Sequence, residues 1–244
     1  MIYVILLAYN EEKNIGGVIQ EIARALLPEE FKIVVVNDGS SDQTKAKVEA
    51  LSETCHTLVV DHGTNLGVAE AFRTGLSYVA RKGTGEDIAI TMEADGTNDS
   101  ATLPEMIRKI REGFDIVCAS RYRAGGGYYQ FPWLRRIYSR GANFLLSSCF
   151  PIKGVRDYTI FYRGYRVRAV QRGLSHYGKA LITSKSFAVS PEILIKLYRL
   201  GSRAAEVPVK YNYGNKRSRS QIRILKTILE YFKLCWKGAV YRQF

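Results

Sequence analysis

What this chain of 244 residues lacks narrows it first. Its four cysteines, Cys55, Cys118, Cys149 and Cys235, have no paired spacing, which argues against a zinc site or a disulfide framework and suits a reducing compartment. No apolar run approaches the roughly 20 residues that span a bilayer. The N-terminus shows no basic region and no small-residue cleavage site, so Ile2 to Leu7 reads as a first strand and not as a signal peptide. Neither the Gly-x-Gly-x-x-Gly dinucleotide fingerprint nor the P-loop pattern occurs. Acidic residues are scarce in one half only. Residues 1–120 carry 11 Lys/Arg and 19 Asp/Glu, whereas residues 121–244 carry 25 and 4. Four acids are too few for a self-paired surface, so the second half is expected to meet an anion: nucleic acid, a membrane surface or a phosphorylated substrate. A merely solvated basic face is the other reading.

What is present begins as an alternation. Ile2 to Leu7 is a buried-strand run, and a helix follows with Ile15, Val18 or Ile19, Ile22 and Leu26 on one face, stopping at Pro28. Phe31 to Val36 is a second strand, and Asp42 is placed to cap a helix through Leu51. Thr57 to Val60, Ile88 onward and Asp115 to Ala119 read as further strands, separated by helices at about 68–82 and 103–112. Continuous apolar strands alternating with helices predict an α/β protein whose mostly parallel central sheet is flanked by helices. The polar and glycine-rich clusters all fall where strands end, so they should converge on one crevice.

The stretch around which the rest is organised is Ile88-Ala-Ile-Thr-Met-Glu93-Ala94-Asp95-Gly96-Thr97. Residues one apart on a strand leave on opposite faces, but where the strand frays into a turn both carboxylates can bend toward one ion. A hard divalent cation that must also hold a diphosphate needs such a pair, because it takes few protein ligands and fills its shell from phosphate and water. An ordinary acidic turn is the alternative at this point.

The second half changes style. Arg121 to Tyr129 is a glycine-rich loop, and a helix from about Trp133 carries Arg135, Ser139 and Asn143 at i, i+4 and i+8, one stripe. Ile193 to Leu200 is a short helix and Arg203 to Lys210 a strand, followed by a basic loop through Lys216, Arg217, Ser218 and Arg219 to Ser220. The last helix, about 222–240, has a narrow stripe of Arg223, Lys226, Glu230, Lys233 and Lys237. Its wide remaining arc, with Leu225, Leu229, Phe232 and Trp236, suits packing on the body, a lipid interface, or both.

In this order the junctions resemble family-2 glycosyltransferases of GT-A (nucleotide-diphospho-sugar transferase) fold, and among them the polyprenyl-phosphate (dolichyl-phosphate mannose synthase-like) hexosyltransferases. The resemblance runs from Ile5 to about Ile228. Ala8-Tyr9-Asn10-Glu11 matches the family's opening loop, and Val36-Asn37-Asp38-Gly39-Ser40-Ser41-Asp42 is similar to its Val-Asp-Asp-Gly-Ser-x-Asp. Asn65-Leu66-Gly67 with Ala71 and Gly75 matches its Asn-x-Gly helix start. Arg121-Tyr122 with Gly125-Gly126, the Arg135-Ser139-Asn143 stripe, and Glu206-Val207-Pro208 before the basic loop match the lipid-phosphate branch. Three positions depart from the pattern: Glu93 stands for the first Asp of Asp-x-Asp, Asn37 for the first Asp of Asp-Asp, and Gln221 for a common Lys.

The resemblance implies an inverting, metal-dependent hexosyltransferase using GDP-mannose or a UDP-hexose. Ala8, Tyr9, Asn10, Glu11, Asp38, Asn65, Gly67, Ala94 and Asp95 would bind the donor. Glu93, Asp95 and Thr97 would hold Mg²⁺ or Mn²⁺. Asp95 and Arg121 would act in catalysis, and Arg121, Arg135, Ser139, Lys216, Arg217 and Arg219 would take the acceptor phosphate. Residues 1–220 would be the catalytic domain (1–120 for the donor, 121–220 for the acceptor), and 221–244 an amphipathic, membrane-interfacial helix. The implied partners are a nucleotide sugar, a polyprenyl phosphate lipid and an anionic membrane surface, with room for a membrane-protein partner and no nucleic acid. The implied location is cytoplasmic, peripheral on the cytoplasmic membrane face.

No histidine among His56, His62 and His176 sits in a context suggesting a base, and Asp157, the best spare carboxylate, follows Arg156 as if to pair with it. A lipid monophosphate needs none, since its second pKa near ~6 leaves it mostly dianionic at neutral pH. A saccharide or other hydroxyl acceptor, and a catalytically inactive scaffold role, are the competing readings.

Overall fold

A computed structural model describes residues 1–218 and 224–240. The first half folds as the alternation predicts: β1 (Ile2–Ala8), α1 (Ile15–Leu26), β2 (Phe31–Asn37), α2 (Thr44–Glu49), β3 (Thr57–Asp61), α3 (Val68–Lys82), β4 (Ile88–Glu93), α4 (Leu103–Arg111) and β5 (Ile116–Ser120). Then come β6 (Gly127–Tyr129), α5 (Trp133–Cys149), β7 (Arg163–Arg166), α6 (Val167–Tyr177), α7 (Val189–Arg199), β8 (Ala204–Pro208), β9 (Lys210–Asn212) and α8 (Ile224–Val240).

Seven strands form one sheet in the order β3-β2-β1-β4-β7-β5-β8, and β6 pairs with β9 in a small second sheet. All strands of the main sheet run parallel except β7, which lies antiparallel between β4 and β5. The second half of the chain therefore contributes β7 and β8 to the same sheet as the first.

Period-two alternation assigns the two cores. Ile33 and Val35 face one layer with α1 and α4; Val34 and Val36 face the other, with α3, α6 and α7. Helix α1 shows why packing, not propensity, holds the helices. Gly16 and Gly17 each disfavour it by about 1 kcal/mol, but Ile15, Val18, Ile19, Ile22 and Leu26 are all buried, each worth roughly 1.5–3 kcal/mol. Helix α2 ends two residues before the predicted Leu51; Asp42 Oδ1 does accept from Thr44 N at 2.9 Å at its start.

Strand β7 is polar in sequence and wholly buried. Its Arg163 guanidinium donates to the carbonyls of Ser190 (2.6 Å) and Tyr158 (3.1 Å) and to Cys118 Sγ (3.1 Å). These satisfy a charge that would otherwise be costly to bury. Gly164 lies so close under Ile110 that a Cβ there would fall 2.9 Å from its Cδ1.

Helix α8 packs on α5 and does more besides. Tyr231, Leu234 and Cys235 are buried, and a Cβ on Gly238 would sit 2.3 Å from the Phe150 ring. Leu225, Leu229, Phe232 and Trp236 are more than half exposed, as are Trp133, Ile137 and Phe144 of α5. The wide apolar arc thus splits into a packed face and an open one. Among the described residues no helix is long and apolar enough to cross a membrane. Of the last helix's predicted stripe, Lys226, Lys233 and Lys237 are exposed and Glu230 accepts from Ser186 Oγ. Arg219, Ser220, Gln221 and Arg223 lie outside the described residues.

Candidate functional site

The ends of β1, β2 and β4 open onto a cavity of about 530 Å³ that continues between α5, α8 and residues 185–187. Its strand-end wall contains Ala8, Tyr9, Glu11, Asp38, Asn65, Gly67, Glu93, Ala94 and Asp95, nine residues read from the sequence as donor- or metal-binding. Asn10 and Thr97 are the two exceptions. Asn10 adopts φ 55°, accepts from Ser41 N at 2.8 Å through Oδ1, and takes Ser40 Oγ on its own N–H at 2.9 Å. It shapes the loop and is not one of the cavity's lining residues.

Asp38 is buried and organises one wall. Its Oδ1 accepts from Leu66 N (2.9 Å) and His62 Nδ1 (2.8 Å), and its Oδ2 from Gly67 N (2.9 Å). Since the Asp38 carboxylate accepts, His62 Nδ1 is the donor of that pair, and Nε2 lies 2.9 Å from Thr74 Oγ1. His62 therefore ties β2 to α3 through the loop that carries Asn65 and Gly67, a role its sequence context did not suggest. Beneath it, a Cβ on Gly39 (φ +67°) would fall 2.2 Å from the Thr64 carbonyl carbon, so only glycine lets the two loops meet.

Asn37, one of the departures, donates to Asp61 Oδ1 at 2.9 Å from the paired position on β3. Asp61 also binds Lys45. An aspartate at 37 would place two carboxylates side by side, so the amide suits its neighbour and is no sign of decay.

Strand β4 ends at Glu93, and beyond it the chain turns so that Glu93 and Asp95 both face the cavity while Ala94 is buried beside them. Asp95 Oδ1 accepts from Thr97 N (3.1 Å) and Thr97 Oγ1 (2.6 Å). Thr97, expected among the metal ligands, instead turns its buried hydroxyl onto Asp95. Asp95 Oδ2 accepts from Lys216 Nζ at 2.5 Å. This relocates Lys216, which was expected with the acceptor cations. Burial alone would pull the Lys216 ammonium's pKa down, but Asp95, Glu93 and Glu11 outweigh it and raise it.

Two hard oxygen donors facing one cavity, with an ammonium already drawn onto one of them, fit a divalent cation. Among the described residues no cluster of three or more His, Cys, Asp or Glu side chains could hold a metal unaided; a cation sharing its shell with a diphosphate has no need of one.

Glu93 is the strained partner. Burial first, and then the Asp95 charge, push its carboxyl up to about 7 from 4.5. The folded protein thus keeps a proton that the unfolded chain releases between those values, and stability falls as pH rises through that window. Glu93→Gln should match the wild type in metal-free urea unfolding near pH 4.5 and exceed it by about 2–3 kcal/mol at pH 8. A difference independent of pH would sink this account.

The far end of the cavity is built on Arg121. Its Nε and Nη2 donate to the two carboxylate oxygens of Asp157 (2.7 and 2.6 Å), and Nη2 also to Thr159 Oγ1 (2.7 Å). Asp157, expected to pair with Arg156, is instead the counterion of Arg121. Glu206 Oε1 accepts from the backbone N–H groups of Arg156 and Asp157, both at 2.7 Å, so the Glu-Val-Pro strand fixes Asp157 and through it Arg121. The guanidinium carbon lies 5.0 Å from the Tyr128 ring centre and 5.7 Å from that of Tyr211, within cation–π reach. The predicted stripe of α5 faces this group. Ser139 bonds Tyr122 and Tyr128, Asn143 bonds Thr159 at 3.1 Å, and Arg135 donates to Tyr213 OH at 2.9 Å. Arg121, Arg135 and Ser139 line the cavity. Arg217 is exposed and is not among the lining residues.

A sequence model of the family described as "Glycosyl transferase family 2" matches residues 3–174. The chain is 29% identical to a dolichol-phosphate mannosyltransferase of Pyrococcus furiosus over 246 residues, covering 98% of this chain and 65% of that protein, just under two thirds of its length. It is 27% identical to a polyprenol monophosphomannose synthase of Mycolicibacterium smegmatis, covering 85% of this chain and 76% of the other. Among solved structures, glucosyl-3-phosphoglycerate synthase of Mycobacterium tuberculosis, crystallised with Mn²⁺, UDP and glucosyl-3-phosphoglycerate, superposes with a TM-score of 0.66 at 20% identity. That match covers 99% of this chain and 79% of the synthase. The likeness bears out the GT-A fold expected from the sequence.

Proposed function

The chain belongs to glycosyl transferase family 2, and on that premise we propose that it moves a hexose from a nucleoside diphosphate-sugar to a polyprenyl monophosphate, inverting the anomeric carbon. One observation carries the reading. A single cavity has Glu11, Asp38, Glu93 and Asp95 at its strand-end wall and Arg121, Arg135, Lys185, Phe187 and Tyr231 at the other.

Residues 1–120 supply the donor end in this reading. The loops held by Asp38 and Asn10 shape the base and ribose pocket, and Glu11 accepts from hydroxyl or N–H groups there. Bound Mg²⁺ or Mn²⁺, held by Glu93 and Asp95, would neutralise charge developing on the leaving diphosphate. Residues 121–220 supply the acceptor end. Arg121, fixed by Asp157 and Thr159, and Arg135, lying on Tyr213, orient a phosphate oxygen toward the face opposite the leaving group. The carboxylates lining the cavity gather at the donor end, whereas cations, hydroxyls and apolar groups line the acceptor end. An acceptor that arrives already ionised needs positioning and no proton transfer, and positioning alone can supply about 7–11 kcal/mol.

The open apolar faces of α5 and α8, with Lys226, Lys233 and Lys237 nearby, support peripheral contact with an anionic leaflet through residues 221–244. Polybasic segments gain roughly 1 kcal/mol per Lys or Arg at such a surface. The test offers GDP-mannose and UDP-hexoses with Mn²⁺ to the protein on vesicles containing polyprenyl phosphate, and separately with saccharide acceptors. Transfer to the lipid and low-salt flotation with the vesicles are expected. Transfer only to the saccharide, or protein that stays in solution with and without anionic vesicles, would overturn the acceptor and membrane parts respectively.

A further inference from the structure

Lys216 sits in a segment fastened across the donor end of the cavity from both sides. Asn212 N donates to Thr97 O at 2.9 Å, and Asn215 Nδ2 to Gly96 O at 3.1 Å. Asn98 and Tyr211 form a β-bridge, and Ser218 Oγ donates to Glu11 Oε1 at 2.7 Å. Residues 212–218 thus reach from the turn after β4 to the loop after β1, touching both carboxylate motifs of the donor wall. The ammonium between them lies on Asp95 Oδ2. The other oxygen of Asp95 is committed to Thr97 twice over, so a cation arriving at this carboxylate meets the oxygen that Lys216 holds.

We propose that Lys216 is a stand-in cation: it and a divalent ion compete for Asp95 Oδ2, and the ion's arrival unfastens residues 212–218 from the cavity and releases the ammonium to meet a phosphate. The proposal rests on reading Glu93 and Asp95 as metal carboxylates. Its physical basis is charge conservation at a buried site. Asp95 keeps a positive partner in both states, so neither the empty nor the loaded protein leaves two bare carboxylates facing one another. The exchange also couples two events. Apparent ion affinity is lowered by whatever fraction of molecules has the strap fastened, and the ion loosens the strap by the same factor that the strap weakens the ion.

The experiment uses the full chain and Mn²⁺ alone, without nucleotide. Free Mn²⁺ is followed by electron paramagnetic resonance, and trypsin cleavage after Arg217, inside the strap, is followed by mass spectrometry. Lys216→Met should bind Mn²⁺ about tenfold tighter than wild type or better. Saturating Mn²⁺ should speed cleavage of the wild type about threefold or more, while Lys216→Met is cut fast with or without the ion. Ser218→Ala, which loosens the strap without touching Asp95, should shift both readouts in the same direction. Mn²⁺ affinity that is equal or weaker in Lys216→Met, or wild-type cleavage that ignores Mn²⁺, overturns the stand-in role and leaves the metal carboxylates standing. Mn²⁺ binding that is absent from both proteins, or that survives in Asp95→Asn, overturns the metal reading and the stand-in role together.

Discussion

Asp95→Asn should cut hexose transfer by about 10²–10³-fold, the loss typical of removing one preorganised electrostatic contact to a developing charge, while the protein still folds. The substitution is nearly isosteric, and its Oδ1 still accepts from the Thr97 N–H and hydroxyl, so the turn after β4 is kept. What changes is the oxygen facing Lys216. An amide N–H₂ there repels both the ammonium and any metal ion, and in the proposed reaction the diphosphate would lose its anchor. The effect belongs in kcat as well as in donor affinity, because the charge being neutralised is largest in the transition state. The assay is transfer to polyprenyl phosphate at saturating donor, with donor Kd measured separately. A variant whose kcat stays within a factor of ten of wild type would show that Asp95 holds no such role.

The second large effect is structural. Asp157→Ala is expected to cost about 3–5 kcal/mol, the usual result of removing one member of a buried ion pair. The Asp157 side chain is 0% exposed and that of Arg121 8%, so the mostly buried guanidinium left behind loses its only counterion among the described residues and keeps Thr159 Oγ1. For a chain of this size the loss lowers Tm by on the order of 10 °C. Asp157→Leu combined with Arg121→Met should be far less destabilised than the two single changes added together, since no orphaned charge remains. Denaturant unfolding of the four proteins measures this coupling, and strict additivity would refute it. If Arg121 aligns the acceptor phosphate as proposed, transfer should fall in every variant, because an unaligned arginine cannot align it.

The first 120 residues were legible because their strands are plain apolar runs and their ligand loops fall at strand ends, where a parallel sheet puts its crevice. Residues 150–192 were not. Strand β7 reads Arg-Gly-Tyr-Arg, and nothing local announces that backbone carbonyls and a cysteine sulfur will neutralise Arg163 inside the sheet. The motif order placed Lys216 near the site but gave no sign of its Asp95 partner, since that contact spans 121 positions. Asp157 was misread for a related reason. Adjacent opposite charges suggest a pair, yet Glu206 turns the backbone at 156–157 and sends the carboxylate to Arg121. His62 had no signal at all, because its significance lies in joining Asp38 to Thr74 across two elements.

The outward-facing leucines, phenylalanines and tryptophans of α5 and α8 would have a kinetic consequence in the proposed lipid-bound pose. They sit on the same two helices that line the acceptor end of the cavity, so a leaflet docked on them would bring the opening level with it, and the acceptor would enter sideways, without leaving the bilayer. Turnover would then follow mole fraction of the acceptor in the surface and be insensitive to vesicle concentration once all protein is adsorbed. The encounter becomes a search in two dimensions instead of three.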